Sequence, residues 1–481
     1  MLAIVVFILF IGLLLLSVPI SSTLSIVSLA PSLFDPNFTI SPEYIIRAMF
    51  GGIDSFPLLA VPMLVLSGIL MAKGGVSKKL FDVFSFFIGK RTAGMPCAVI
   101  ITCLFYGAIS GSAPATVAAV GSMTIPLLVK LGYDKTFVTA IVAVAGGLGV
   151  IIPPSIPFIL YGMASGTSVG KMFMAGIVPG LLIAALLMIY AFYYCKKHGE
   201  DKAKINEEVN ALHNKGFKKV FFESFWALLT PVIILGCIYS GVASPTEAAV
   251  ISVFYALFIS MFIYKSLRVK DLYDVFVESI KTFAPILFIL ASAVVFSRII
   301  TLLQIPDTAA NFILNTIHGK VAVLIVINIL LLIVGMVMDT SPAILILTPI
   351  LLPIAQSVGV DAVHFGIIMV VNLAIGFVTP PIGINLFVAS SLVDIPVMNI
   401  AKKSVAINWF LLYRFIVDYI YSTNFFGISG IGGTYEKNSF RFNFDDNCLF
   451  INGLMLLKKK IQQRLVNLFL GSLPMIHRLI Q

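Results

Sequence analysis

The sequence predicts an all-α polytopic membrane protein organised as an inverted-topology repeat. Three observations predict it: an apolar composition that needs a lipid solvent, basic loops that fix one consistent orientation, and a set of Pro, Gly and Asp landmarks that occurs twice.

Hydrophobic residues make up 59% of the chain and charged residues 11%, with a mean hydropathy of +1.05. A soluble domain of this length carries far more charge. A helix crosses the bilayer core with about 20 apolar residues. The stretches Met1 to Ala30, Phe56 to Met71, Met172 to Tyr194, Phe222 to Ser240, Ala248 to Tyr264, Phe283 to Leu303 and Val321 to Met338 meet that need. With the segments between them, roughly ten spans or re-entrant hairpins are expected. The N-terminal run has no basic n-region and no small-residue cleavage site, so it reads as the first span and not as a removable signal peptide. Cys97, Cys103, Cys195 and Cys237 lie in or beside apolar stretches and Cys448 in the tail, with no metal-ligand spacing; they read as packing thiols.

The formal charge of +10 comes from Lys and Arg gathered in loops, not in a stripe on a soluble domain, so no nucleic-acid partner is expected. Lys73, Lys78, Lys79, Lys90 and Arg91 form one loop cluster. Lys196, Lys197, Lys202, Lys204, Lys215, Lys218 and Lys219 form a second, and Lys265, Arg268 and Lys270 a third. The positive-inside rule places all three in the cytoplasm, and the two spans between the second and third return the chain to the same side. The second loop also carries Glu200, Asp201, Glu207 and Glu208 and reads as a solvated amphipathic helix joining two halves.

The internal repeat is the most informative feature. Ser112-Ala113-Pro114-Ala115 recurs 228 positions later as Thr340-Ser341-Pro342-Ala343. Pro126 then matches Pro353, Gly132 matches Gly359, Asp134 matches Asp361 and Pro153-Pro154 matches Pro380-Pro381, all 227 positions apart. Copy one follows the cytoplasmic loop that ends at Arg91. Copy two follows the stretch Gln304 to Lys320, one crossing from the cytoplasmic Lys270, and so begins outside. Opposite entry is the plan of a secondary transporter, with its site near the midplane where the copies meet.

Within copy one, Gly107 to Pro114 places hydroxyls, glycines and a proline inside an apolar region, and Gly146-Gly147-Leu148-Gly149 followed by Pro153-Pro154-Ser155 repeats the device. Gly and Pro release backbone groups from the helical ladder, and in a membrane these persist only where protein or a wet cavity satisfies them. Released carbonyls suit Na⁺ and half-helix N-termini suit a carboxylate. Copy two uses Gly335 to Pro342 and Gly376 to Pro381 in the same way. Asp339 ends an apolar span with no basic residue close in sequence, which marks a functional site; its competing reading is a helix N-cap before Pro342, and the two are compatible. The Ser110 to Ser112 stretch competes with a small-residue packing interface, and its recurrence favours a site. Ser155 and Thr379 follow the same logic. Asn385 is open between a ligand contact and an interhelical hydrogen bond. Asp134 and Asp361 read as caps, and His318 and His364 as interfacial histidines. The pairs Gly89-Lys90, Gly170-Lys171 and Gly319-Lys320 lack the following Ser or Thr of a phosphate-binding loop, so the chain has no ATPase of its own.

The stretches GAISGSAPATVAA (107–119), GGLGVIIPPSIPFILYG (146–162), GVASPTEAAV (241–250), DTSPAILILTPILLP (339–353) and GFVTPPIGINLFVASS (376–391) resemble the large membrane subunit of tripartite ATP-independent periplasmic (TRAP) transporters. The resemblance covers roughly residues 1–405. It implies an elevator-type fold of the ion-transporter superfamily with two oppositely opening re-entrant hairpins, in the bacterial inner membrane. It implies scaffold helices in 1–90, a transport repeat in 91–195, a cytoplasmic linker and scaffold helices in 196–290 and a second transport repeat in 291–405. Residues 406–481 are a divergent tail with no assigned role. Na⁺ is the implied coupling ion, with a small four-helix membrane subunit and a periplasmic substrate-binding protein as partners. By the same resemblance, Na⁺ is held around Ser110, Ser112, Gly147 and Pro153, and around Gly335, Asp339, Thr340, Gly376 and Thr379. Ser112, Ser155 and Asp339 lie nearest the substrate. The wording of copy one is most similar to the sialic acid (N-acetylneuraminate) importers, with C4-dicarboxylates the alternative and a passive channel the competing class.

Overall fold

The computed structural model describes residues 2–16, 18–34, 41–306, 308, 319–405 and 407. Among them there is no strand. His318, Cys448 and the tail expected at 406–481 fall outside the described residues, apart from residue 407.

The chain opens with α1 (Leu2–Leu15) and α2 (Ile20–Phe34). The expected single span over Met1 to Ala30 is therefore a pair of shorter helices. Pro19 explains the restart: it has no amide to continue a preceding ladder, and its carbonyl accepts the Thr23 amide at 2.9 Å as the second helix begins. After α3 (Pro42–Ile53), a single 3₁₀ turn leads into α4 (Ala60–Lys73), followed by α5 (Val76–Ile88).

Copy one comprises α6 (Gly94–Ser110), α7 (Ala113–Lys130), α8 (Lys135–Gly146), the single turn α9 (Leu148–Ile151) and α10 (Ile156–Ser165). The long α11 (Val169–His198) leads to α12 (Lys202–Asn214), the polar helix expected between the halves, which buries only Ile205, Val209 and Leu212. Next come α13 (Phe217–Tyr239), α14 (Pro245–Phe258) and the 32-residue α15 (Asp271–Leu302), which starts twelve residues before the apolar stretch beginning at Phe283. Copy two comprises α16 (Lys320–Val337), α17 (Thr340–Ser357), α18 (Ala362–Gly376) and α19 (Ile384–Ser391).

Among the described residues eight helices are long and apolar enough to cross a membrane, and a bent pair, Lys135–Ile151 with Ile156–Ser165, makes a ninth at an angle of 42°. The helix starts are written in the sequence. Ser244 and Glu247 form a complete capping box on α14. The Asp134 carboxylate accepts the Phe137 amide, and Asp361 accepts those of Val363 and His364, so both caps are present.

The helices outside the repeat pack among themselves: α4 on α14 and α15, and α15 on α2 and α3. Within the repeat, each half-helix is exchanged. The copy-one half-helix α10 lies along the copy-two arm α17, and the copy-two half-helix α19 lies along α7 and α8 of copy one. Gly147 faces the Ala374 carbonyl, 3.7 Å from where a Cβ would stand. These two residues are equivalents, so the pseudo-two-fold axis passes between them.

The open end of the first hairpin is closed by Glu200, whose side chain is 2% exposed. Its carboxylate accepts the Ala93 amide at 3.1 Å, the Tyr133 hydroxyl at 2.6 Å and the Lys202 ammonium at 2.8 Å. One side chain thus ties the start of α6, the turn after α7 and the beginning of the linker. A buried carboxylate persists only with such partners.

Candidate functional site

Copy one turns at the tip of its hairpin through Gly111, which has φ of +61° and ends α6. Ser112 is extended and α7 starts with Pro114 in its first turn, a position that needs no amide. Three oxygens gather there. The Ser110 and Thr116 hydroxyls are 2.9 Å apart, Thr116 donates to the Ser112 carbonyl at 2.8 Å, and Ser110 lies 3.3 Å from the same carbonyl. The Pro-Pro segment closes over the tip, where the Ile156 amide donates to the Gly111 carbonyl at 3.2 Å. Pro153-Pro154 is cis, as is Pro380-Pro381. Ser155 is buried and donates to the Val150 carbonyl at 2.5 Å.

Behind the tip the backbones touch. A Cβ on Gly107 would lie 2.6 Å from the Gly149 Cα, and one on Gly149 would lie 2.4 Å from the Thr116 hydroxyl and 2.6 Å from the Ser112 carbonyl oxygen. Only hydrogen fits at these positions. The outside face of the tip rests on α4: a Cβ on Gly68 would stand 3.1 Å from the Ser110 Cα, and the Tyr106 hydroxyl donates to the Gly68 carbonyl at 3.2 Å.

Copy two is built alike. A Cβ on Gly376 would lie 2.4 Å from the Gly335 carbonyl carbon. Gly335 and Gly376 are the equivalents of Gly107 and Gly149 at the same 228 and 227 offsets that align the prolines. The Asp339 carboxylate accepts the Thr340 amide at 2.7 Å and lies 3.3 Å from the Thr340 hydroxyl, so the cap is formed. Thr379 donates its hydroxyl to the Ile375 carbonyl at 2.8 Å, and the Gly383 amide donates to the Met336 carbonyl at 3.2 Å.

The structure therefore brings Ser110 and Ser112 together, and Gly335 with Gly376. It places Asp339 with Thr340 at the start of α17, and Thr379 on the break after α18. Gly147 stands beside the pseudo-axis, opposite Ala374, Pro153 is buried in the break, and Ser155 is turned toward Val150. Thr116 and the Gly107–Gly149 contact were not singled out from sequence. Thr116 was signalled by its place one turn after Ser112, and the glycine contact by the repeat offsets. Asn385 makes an interhelical hydrogen bond, to the Ala143 carbonyl of copy one at 3.1 Å. Tyr161 of copy one reciprocates with the Ala362 carbonyl of copy two at 2.6 Å.

A cluster of hydroxyls and carbonyls without a nucleophile-base pair suits a desolvated monovalent cation, which takes neutral oxygen ligands. The half-helices that begin after Ser112, Ser155 and Asp339 present amides suited to an anion.

Residues 7–421 match the family model described as Tripartite ATP-independent periplasmic transporter, DctM component. The chain is 46% identical over 389 residues to the isethionate TRAP transporter permease protein DctMQ of Oleidesulfovibrio alaskensis, over 81% of this chain and 60% of that protein's length. It is 40% identical to the C4-dicarboxylate TRAP transporter large permease protein DctM of Pseudomonas aeruginosa, over 77% of this chain and 86% of the relative. It is 35% identical to the sialic acid TRAP transporter large permease protein SiaM of Vibrio cholerae, over 81% and 90%. In fold it is similar to Neisseria gonorrhoeae MtrF, with a TM-score of 0.57 and 14% identity over 83% of this chain and 93% of that one. It is similar also to Alcanivorax borkumensis YdaH, with a TM-score of 0.55 and 16% identity over 86% and 97%.

Proposed function

The chain belongs to the DctM component family of TRAP transporters, a bacterial family of multi-pass permeases, and from that premise we propose that it is the translocating subunit of a sodium-coupled importer of a small organic anion. It acts in the inner membrane, with a small four-helix subunit and a periplasmic binding protein that delivers the substrate. The observation that carries this reading is the doubled close approach: in each copy two glycines meet backbone to backbone at the helix break, Gly107 on Gly149 and Gly376 on Gly335, and in copy one the contact lies beside the gathered oxygens of Ser110, Ser112 and Thr116. That arrangement suits ion-coupled alternation between two faces.

In this reading one Na⁺ is taken around Ser110, Ser112, Gly147 and Pro153, with Thr116 added to the set. A second is taken around Gly335, Asp339, Thr340, Gly376 and Thr379. Cation binding at the tips draws each hairpin onto its broken helix and orients the amides of the half-helices toward the substrate anion. Ser112, Ser155 and Asp339 contact the substrate, Ser155 by exchanging its bond to Val150. The helices of the two copies then ride past α4, α14 and α15 in an elevator stroke, with Gly68 as the smooth point beneath Ser110. The relatives' names cover isethionate, C4-dicarboxylate and sialic acid. The wording of copy one favours sialic acid.

The test is uptake into proteoliposomes containing the chain, its small partner and candidate binding proteins, across those anions, with and without a sodium gradient. Accumulation of one anion against its gradient, driven by sodium, is expected. A carboxylate at membrane depth costs about 2.5 to 3.5 kcal/mol unless compensated. Asp339→Asn keeps the cap but not the charge, so uptake should fall strongly and its sodium dependence change. Normal uptake with an unchanged sodium response would make Asp339 a cap alone, and uptake that only equilibrates the anion would favour a passive pore.

A further inference from the structure

The ladder of α8 fails at its end. The Gly147 amide bonds the Val144 carbonyl three residues back, at 3.0 Å, and leaves the Ala143 carbonyl without its helical donor. The Asn385 side chain supplies the replacement from copy two, 3.1 Å away. The main-chain amide of the same residue donates to the Phe377 carbonyl at 3.1 Å. That carbonyl also lacks its ladder donor, because the residue four places on is Pro381, which has no N–H. Asn385 is fully buried, and its Oδ1 has no hydrogen-bond partner among the described residues. Turning the amide over would set two carbonyl oxygens against each other, so the orientation is fixed by the Ala143 bond. A buried carbonyl without a donor is costly, and an apolar residue of this size would avoid it. What the residue contributes is the donor it brings to Ala143.

The equivalent position in copy one is Phe158, so this bond has no symmetry mate. One residue of copy two therefore holds the broken-helix carbonyls of both copies, beside the axis where Gly147 faces Ala374. We infer that Asn385 is a positioning residue that couples the two helix breaks, so that cation binding in one copy raises the affinity of the other. The inference rests on the sodium reading above. If sodium orders one break, the rigid half-helix start at Asn385 carries the displacement to the other through the Ala143 bond.

The test is the equilibrium sodium-binding isotherm of the purified full chain, measured with radiolabelled sodium while potassium holds ionic strength constant, beside its melting temperature in zero sodium. The wild-type chain should bind with a Hill coefficient above one. Asn385→Leu, of similar size and without a donor, should bring the coefficient to one and raise half-saturating sodium by about 5-fold or more, the usual span of coupling between sites. Asn385→Ala decides the matter if the leucine variant does not fold. A general loss of packing lowers the melting temperature in zero sodium but leaves the steepness of the isotherm unchanged. A wild-type Hill coefficient of one, or an unchanged coefficient in the variant, overturns the coupling and leaves the sodium reading standing. A wild-type chain indifferent to sodium overturns both.

Discussion

A methyl group at position 376 tests the tightest contact of the second copy. Gly376→Ala would set its Cβ 2.4 Å from the Gly335 carbonyl carbon and 2.5 Å from the Gly335 Cα, where ordinary contact begins at 3.4 Å. The two helices must part by about 1 Å, and no rotamer change helps because both obstacles are main chain. Overpacking of this kind costs about 1 to 3 kcal/mol, and the upper end applies where backbone must yield. Gly236→Ala is the matched control: it is within α13 and has nothing within 4 Å of its Cβ position. There the alanine gains about 1 kcal/mol of helix propensity. Gly335→Ala, whose nearest neighbour would be the Leu373 Cα at 3.0 Å, should fall between. Melting curves of the three variants as purified full chains should rank Gly236→Ala highest and Gly376→Ala lowest. A Gly376→Ala chain that melts as high as the Gly236→Ala chain would refute the close approach.

Ser244→Ala removes the acceptor for the Glu247 amide while the Ser244 amide still donates to the Glu247 carboxylate at 2.7 Å; it should cost about 1 kcal/mol in a denaturation measurement, and a neutral result would show that the box contributes nothing. Glu200→Gln should cost about 1.5 to 3 kcal/mol, the worth of a hydrogen bond to a charged group, and melting curves that overlay wild type would show the hairpin base held by other contacts. In a chain lacking its native cysteines, Ser112→Cys should be labelled from the cytoplasmic side and Ser341→Cys from outside as the carrier moves. Constant one-sided access at both positions, with and without sodium in cells and inverted vesicles, would exclude alternation.

The repeat was legible because its landmarks act on the main chain. Pro153, Pro380, Gly132, Gly359, Asp134 and Asp361 each dictate a break, a turn or a cap whatever the surroundings, so their spacing survives as text. Apolar packing leaves weaker marks. The run from Met1 has the same composition as one helix or as two, and Pro19 alone divides it. Glu200 in a basic loop looks like any solvated acid, and only the fold brings Ala93 and Tyr133 to it. Asn385 lies 242 positions from Ala143, beyond the reach of any local pattern, so its two readings were separable only in three dimensions. The Asp-Thr-Ser-Pro run predicts the cap on Asp339, and the structure forms it with the Thr340 amide.

The exchanged half-helices also set an order of events during synthesis. When residue 198 has left the ribosome, copy one is complete in sequence, yet the faces of α7 and α8 that α19 covers stand without their partner, and α10 has no α17 to lie along. The counterparts arrive only after the chain has threaded four more apolar helices into the bilayer. Until then the Ala143 carbonyl and the surface around Val142 and Gly121 must be met by lipid, water or the insertion machinery. The first copy is thus a waiting half, and its final shape is decided by residues made roughly 200 positions later.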